Sequence, residues 1–317
     1  MTANTIDKLK GIFFGQAIGD ALGLGTEFLN KQEVDFHYPI GLDNYSQIIQ
    51  DKHRSRWPKG NWTDDTDQFI CILNSLIHCK QVKVLDIAKN FKQWLANDGM
   101  GIGSNTYRVL TLPQYELFPY KAAALIWKTR KKQSAPNGAL MRNSIVCTFD
   151  FWSADSVLEN CKVVCQLTHF DPRCVDSCQI MAKLIIGELN NKPLTWQNIQ
   201  SEFIQHDERI SLYIHTINVP IANLKLDESE ALGYTLKALY AGMWSYYNAS
   251  SFEAGIQTII MEGGDADTNA CIAGSLLGAK FGFNQIPKHL IDGLNQGKEL
   301  ESMFEEYIDL LKQRYLI

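Results

Sequence analysis

The apolar positions along this chain recur at helical spacing almost from end to end. Residues 6–22 place Ile6, Leu9, Phe13, Ala17 and Ala21 on one helix face. Residues 67–79 repeat the rhythm at Phe69, Ile70, Leu73, Leu76 and Ile77. The same spacing predicts helices over 84–95, 119–131, 139–148, 153–166, 172–189, 195–205, 229–247, 251–262, 268–281, 287–294 and 300–315. Convincing alternating strands are absent. Breaker-rich segments fall at 29–60, 97–103, 190–193 and 218–227. There is no internal repeat and no long low-complexity linker. The pattern therefore predicts an all-α fold, one compact multi-helix domain over residues 1–317 with a few long functional loops.

Composition narrows the function classes. A chain of 317 residues can bury a substantial core. A net charge of -5 leaves no electrostatic footprint for nucleic acid. No apolar stretch reaches the roughly 18 residues that span a membrane. The polar stretch 1–10 lacks the pattern of a secretory signal. Eight cysteines sit mostly within apolar helical patterns, which predicts reduced, buried thiols in a cytoplasmic protein. Cys161/Cys165 and Cys174/Cys178 are each four apart, so zinc ligation is the sharper alternative for those four.

Two acidic clusters about two hundred residues apart stand out. One reads Trp62-Thr63-Asp64-Asp65-Thr66-Asp67, the other Gly263-Gly264-Asp265-Ala266-Asp267-Thr268-Asn269. Each precedes a helical apolar run, so each alone reads as a helix N-cap. Each also holds more acids than a cap requires. Crowded carboxylates repel and raise one another's pKa unless a cation neutralises them. Hard divalent cations prefer oxygen ligands, which carboxylates and Thr hydroxyls supply. If the fold joins the clusters, they make an oxygen-rich site for two metals. The second cluster also resembles a DxDxT phosphatase nucleophile, but 252–262 reads as helix, no βαβ alternation follows, and the Thr spacing is wrong. An EF-hand fails for want of the closing Glu.

Further signals surround these clusters. Residues 19–28 end a helix in glycines and present Glu27 on a loop, either solvated or beside the metals. Asp20 lies in an apolar helix end, where it needs a buried polar partner. Residues 99–106 form a glycine-rich turn opening a helix, which suits phosphate. Residues 137–142 form another glycine turn, and His169 sits in a short loop between helices, a place where a lone His is usually solvated.

Taken in order, Gly19-Asp20-Ala21-Leu22-Gly23 with Glu27, Thr63-Asp64-Asp65-Thr66, Asn137-Gly138-Ala139-Leu140-Met141-Arg142, Thr168-His169 and Gly263-Gly264-Asp265-Ala266-Asp267-Thr268-Asn269-Ala270 resemble the ADP-ribosylglycohydrolase family. The matching segments span about residues 10 to 285. The resemblance implies an all-α domain around two divalent cations, Mg²⁺ or Mn²⁺. It implies Thr63, Asp64, Asp65, Asp265, Asp267 and Thr268 as metal ligands. Glu27, Asp65 and Asp267 would be catalytic. Gly101, Ile102, Gly103 and Ser104 would line the diphosphate. Asn137, Gly138, Ala139, Leu140, Met141 and His169 would line the distal ribose and phosphate.

The chain departs from the family where some members carry an acid at the position of Gly101. Asp98 is nearby but out of register, and Asn143-Ser144-Ile145 replaces a more apolar, Pro-containing stretch. The implied activity is metal-dependent hydrolysis of ADP-ribose from modified side chains, arginine-linked first. The expected partner is an ADP-ribosylated protein or an ADP-ribose-containing small molecule, acted on by a monomer. Serine-linked or O-acetyl-ADP-ribose is the second substrate reading. A non-catalytic ADP-ribose-binding module and a metal hydrolase of phosphate esters are the rival classes.

Overall fold

Small residues, rather than large ones, set the centre of this fold. The computed structural model describes residues 1–97, 99–203, 206–230 and 232–315. Its α-helices are α1 (Ala3–Gly23), α2 (Lys31–His37), α3 (Asp64–Cys79), α4 (Val84–Asn97), α5 (Ser104–Leu110), α6 (Pro119–Thr129), α7 (Ser144–Thr148), α8 (Ala154–Cys165), α9 (Pro172–Leu189), α10 (Trp196–Glu202), α11 (Thr235–Asn248), α12 (Phe252–Ile260), α13 (Ala266–Phe281), α14 (Lys288–Asp292) and α15 (Gly297–Tyr315). An isolated antiparallel bridge joins Pro136 to Tyr234, and no strand is present among the described residues.

Helices α1 and α13 lie antiparallel with their backbones in contact. Gly11, Gly15, Gly19 and Gly23 recur every fourth residue on α1, and they face Gly278, Gly274, Ala270 and Ala266 of α13. A Cβ on Gly15 would stand 2.1 Å from the Gly274 carbonyl oxygen, and one on Gly19 2.0 Å from that of Ala270. In return, a Cβ on Gly274 would stand 2.0 Å from the Gly15 oxygen. No side chain fits between the two helices. Helix α13 is buried on every side from Ala266 to Ala279, the pattern of a central helix. Helices α11 and α12 pack on its far side, while α3, α7, α9 and α15 pack around α1. Phe13 makes edge contacts with Phe69 of α3 and Phe304 of α15, at centroid distances of 5.1 and 5.2 Å.

Several local expectations are corrected. The segment 29–60 holds α2, closed by a capping box between Asn30 and Glu33. With only Val34 buried, α2 has no apolar period to read. The run 139–148 is not one helix: a 3₁₀ turn over Asn137–Ala139 precedes α7. The helix expected from 229 starts at Thr235, after Gly233 at φ +69°. The run 195–205 gives α10, and residues 204 and 205 lie outside those described. A 3₁₀ segment over Glu208–Asn218 was unassigned from the pattern. All eight cysteines are free and all but Cys79 are buried. Among the described residues they form no metal-ligand cluster, which sets the zinc alternative aside. No described helix is long and apolar enough to cross a membrane.

The α1–α13 contact makes a direct prediction. Gly15→Ala puts a methyl where the Gly274 oxygen sits, so the helices must separate. A loss of roughly 2–4 kcal/mol or failure to accumulate as folded protein is expected. Gly103→Ala, where a Cβ meets nothing within 4 Å, should unfold close to wild type. Thermal unfolding of the two variants checks this, and equal midpoints would refute the close contact.

Candidate functional site

The antiparallel seam brings the end of α1 beside the start of α13, and α3 starts against the same place. Thr63 and Asp265 are the N-cap residues of α3 and α13, yet neither side chain makes a capping hydrogen bond. The capping reading therefore accounts for where the clusters fall but not for what their side chains do. Asp20 of α1 ties α3 into place. Its Oδ1 accepts from the Thr63 backbone N–H at 2.9 Å and the Thr63 hydroxyl at 2.8 Å. Its Oδ2 accepts from the Thr66 N–H at 3.0 Å and hydroxyl at 2.6 Å. Complete burial pushes the Asp20 carboxyl up to about 7, against the pull of these four hydrogen bonds. This is the buried, polar-partnered role expected for Asp20.

Glu27 is placed by the strand-like crossing that follows α1. Phe28 takes a left-handed conformation at φ 61°. Its N–H donates to the Gly264 oxygen at 2.6 Å, and the Gly264 N–H donates to the Leu29 oxygen at 2.8 Å. Gly263 and Gly264 sit at φ +70° and +71°, with a Cβ on Gly264 only 2.0 Å from the Leu226 oxygen. That pairing presses the Glu27 loop onto the second acidic cluster. Glu27, Asp265 and Asp267 each offer an oxygen, and these atoms lie within 4.8 Å of one another. Glu27 is 7% exposed, so it is no solvated loop acid, and it stands within the candidate ligand group rather than beside it.

The remaining acids complete the cluster. Asp265 Oδ2 accepts from Asn137 Nδ2 at 2.7 Å and from the Gly233 N–H at 3.0 Å, which fixes its orientation. Asp267 Oδ1 accepts from the Thr268 N–H at 2.8 Å. Asp65 Oδ1 is buried with no hydrogen-bond partner. Burial, then the charges of neighbouring acids, raise Asp64, Asp65 and Asp267 well above the usual carboxylate range, and Asp265 is raised in the same sense. A partnerless buried carboxylate oxygen inside a like-charged group is the environment that a divalent cation relieves. The residues present fit such an ion, and the two helix N-termini aimed at the group favour its negative charge only in part.

A cleft of about 470 Å³ opens from this cluster, a size that suits a nucleotide-like ligand. Glu27, Asp64, Asp65, Asp265, Asp267 and Thr268 line its floor. Gly101, Gly103, Ser104, Asn137, Gly138, Met141 and His169 line its walls. A smaller cavity of about 220 Å³ shares Glu27, Asp64, Gly101 and Asp267 with the cleft and adds Thr63 and Ile102. Ala139 and Leu140 instead bury their side chains in the core and line neither space. Asp98 lies outside the described residues. Gly101 sits at φ +90°, and a Cβ there would stand 2.6 Å from Asp64 Oδ1, so the departure to glycine lets the loop approach the cluster.

His169 is buried rather than solvated, and a polar chain links it to the acidic cluster. Asp64 Oδ2 accepts from Gln68 Nε2 at 2.8 Å, and Gln68 Oε1 accepts from the Arg142 guanidinium. Arg142 Nη2 donates to the Thr168 hydroxyl at 2.5 Å. That hydroxyl lies 2.7 Å from His169 Nδ1, and His169 Nε2 is buried without a partner. Burial, then the Arg142 charge, holds the imidazole well below its usual pKa, so it stays neutral.

Sequence reasoning missed several wall residues. His53, Arg56 and Trp57 come from the breaker-rich segment, where no period or motif marks them. Arg130, Ser134, Glu230, Leu232 and Tyr234 line the far end of the cleft from turns whose position only the tertiary fold sets.

Comparisons with known proteins converge. The family model described as ADP-ribosylglycohydrolase matches residues 1–316. The ADP-ribosylarginine hydrolase Tri1 of Serratia proteamaculans is 24% identical over 306 residues, covering 96% of this chain and 80% of the relative. The ADP-ribosyl-(dinitrogen reductase) glycohydrolase of Rhodospirillum rubrum is 23% identical over 305 residues, covering 93% of this chain and 92% of the relative. A solved structure titled ADP-ribosylglycohydrolase-related protein complex has the same fold, with a TM-score of 0.76 at 24% identity, covering 98% of this chain and 99% of that one.

The raised carboxyl pKa values set a pH dependence for the metal-free protein. A carboxyl whose pKa is higher folded than unfolded binds more protons in the native state, so its contribution falls as pH rises through the folded value. For Asp20 that window runs from the ordinary aspartate value of 3.8 to about 7. At Asp64, Asp65, Asp265 and Asp267, whose carboxyls are raised in the same sense, a cation competes with the bound protons. The gain in Tm from added Mn²⁺ should therefore be clearly larger at about pH 7.5 than at about pH 5. Equal gains at both, or none, in differential scanning fluorimetry would contradict a carboxylate-held metal.

Proposed function

The chain belongs to the ADP-ribosylglycohydrolase family and is an ADP-ribosylglycohydrolase enzyme, and we propose that it removes ADP-ribose from arginine side chains with two divalent cations, Mg²⁺ or Mn²⁺. The observation that carries this reading is the convergence of both acidic clusters and Glu27 on the floor of one cleft. The arginine acceptor follows two relatives, the ADP-ribosylarginine hydrolases Tri1 of Serratia proteamaculans and Pseudomonas putida. Serine-linked and O-acetyl-ADP-ribose remain the alternatives that the assay below separates.

Thr63, Asp64, Asp65, Asp265, Asp267 and Thr268 would hold the cations, with Glu27 against Asp265 and Asp267. When bound, the cations supply positive charge that neutralises the acids, orients the ribose hydroxyls and makes water a better nucleophile. The chain's own residues do the rest. The distal ribose would lie on the cluster, between Asn137, Gly138 and Met141. His169, neutral and with Nε2 unpartnered, would present that nitrogen to a polar group of the substrate. The turn from Gly101 to Ser104 would bring backbone N–H groups to the diphosphate.

The bond between ribose C1 and the arginine nitrogen then breaks, and a C–O bond forms to water. Positive charge builds on the ribose in the transition state, as in other glycoside hydrolyses. The water's proton passes to a carboxylate of the cluster, Glu27, Asp65 or Asp267, and from there to the departing nitrogen, so that the arginine leaves as guanidinium and the carboxylate is regenerated. The domain 1–317 would act as a monomer, with ADP-ribosylated protein as its partner.

Asp65→Ala and Asp267→Ala should each lower turnover by at least about a hundredfold, because each removes a cation ligand. Free ADP-ribose followed by mass spectrometry, from an arginine-ADP-ribosylated protein and a serine-ADP-ribosylated peptide, tests both points. Release from the arginine substrate alone is expected. Full activity in both variants would end the metal reading, and release from the serine substrate alone would reassign the acceptor.

A further inference from the structure

The smaller cavity beside the cluster contains a hydrogen bond to Glu27 from a residue, His53, that the proposed reaction does not use. His53 Nε2 lies 2.6 Å from Glu27 Oε2. Arg56 Nη2 lies 2.5 Å from His53 Nδ1. A guanidinium nitrogen donates and cannot accept. His53 Nδ1 must therefore accept, the ring is neutral, and its hydrogen is on Nε2. That N–H donates to Glu27 Oε2. Arg56 thus selects the His53 tautomer that can hold Glu27.

The surrounding loop is built to keep this arrangement. The Asp51 Oδ1 accepts from the His53 N–H at 3.0 Å and the Arg54 N–H at 2.8 Å. Buried Arg54 reaches across to the Glu27 main chain, donating Nη2 to the Glu27 carbonyl oxygen and Nε to that of Gly25 at 2.8 Å. The His53 ring packs against Phe28 and Trp57, with centroids 5.1 and 5.5 Å away. Arg56 lies over the Trp57 ring at 4.5 Å and also donates Nε to the His53 carbonyl oxygen at 3.0 Å. Main-chain and side-chain contacts from one loop therefore meet the Glu27 backbone and carboxylate together.

We propose that His53 is a positioning residue for Glu27, with Arg56 setting its tautomer. The Nε2–H occupies one lone pair of Oε2 and orients the carboxylate, leaving its other lone pairs directed to the group formed with Asp265 and Asp267. Without that donor, Glu27 turns about its side-chain torsions and meets the cation less often. This inference rests on the reading of Glu27 as part of the cation site.

The test is Mn²⁺ titration of the full chain by electron paramagnetic resonance, with ADP-ribose release in parallel, for His53→Ala, His53→Gln and Arg56→Ala. Glutamine keeps an N–H donor near the place of Nε2. His53→Ala should weaken Mn²⁺ binding and lower kcat by roughly tenfold each, with KM changed less than about threefold. His53→Gln should restore both to within about threefold of wild type, and Arg56→Ala should fall between. Unchanged Mn²⁺ binding in His53→Ala overturns the proposal. So does His53→Gln as impaired as His53→Ala, which marks a packing role, and Arg56→Ala equal to wild type removes the tautomer step. If the wild-type protein binds Mn²⁺ but releases no ADP-ribose from any substrate, the proposed function fails while the titration still decides the role of His53.

Discussion

The contact between the α1 and α13 backbones is the constraint on which the rest depends. Glycines at every fourth position let the two helices approach until carbonyl oxygens lie where side chains would be. Because the helices run antiparallel, residue 23 of one meets residue 266 of the other. That register alone puts the loop after α1 beside the acids that start α13. Had either helix carried ordinary side chains along the seam, the axes would stand farther apart. Glu27 could not then share a volume with Asp265 and Asp267. Stability and site geometry therefore rest on the same small residues.

The electrostatics of the site run against the fold that holds it. Asp20, Asp64, Asp65, Asp265 and Asp267 are buried together, and burial is the largest cause of each raised pKa. Neither buried arginine near the site neutralises them directly. Arg142 reaches the cluster only through Gln68, and Arg54 is directed to main-chain oxygens and to Asp51. Asp20 shows how one acid can be satisfied without a cation, by four donors from α3. Asp65 shows the opposite case, with one oxygen left bare. The difference separates an acid whose bonds build the site from one with an oxygen still open to a partner.

Much of this was legible before the structure. Helical periodicity predicted the all-α class because apolar faces must repeat at the helix period wherever they pack on a core. The two acidic clusters were legible as a surplus over capping needs. The glycines at 11, 15, 19 and 23 and the small residues at 266, 270, 274 and 278 were equally visible as a four-residue period, but a period of absent side chains carries no hydrophobic signal, so it was not read as packing. Helix α2 was missed for the related reason that it buries only Val34. His53 and Arg56 had no signal of any kind. Their roles come from a loop conformation held by Arg54 and Asp51, and such contacts have no spacing along the chain.

The same reasoning explains why Ala139 and Leu140 fall away from the cleft while Gly138 and Met141 stay on it. The 3₁₀ turn at Asn137–Ala139 ends before Leu140, and positions three apart in such a turn share a face, as Gly138 and Met141 do on the cleft. Asn137 is directed to Asp265, Gly138 faces His169, and the next two positions point into the core. Gly138 has no side chain, and a Cβ there would stand 3.2 Å from His169 Nε2. A side chain at this position would press on the unpartnered nitrogen of His169, and the glycine avoids that contact. A segment that reads as a continuous contact strip in sequence is, in three dimensions, divided between side chains on the cleft wall and side chains in the core.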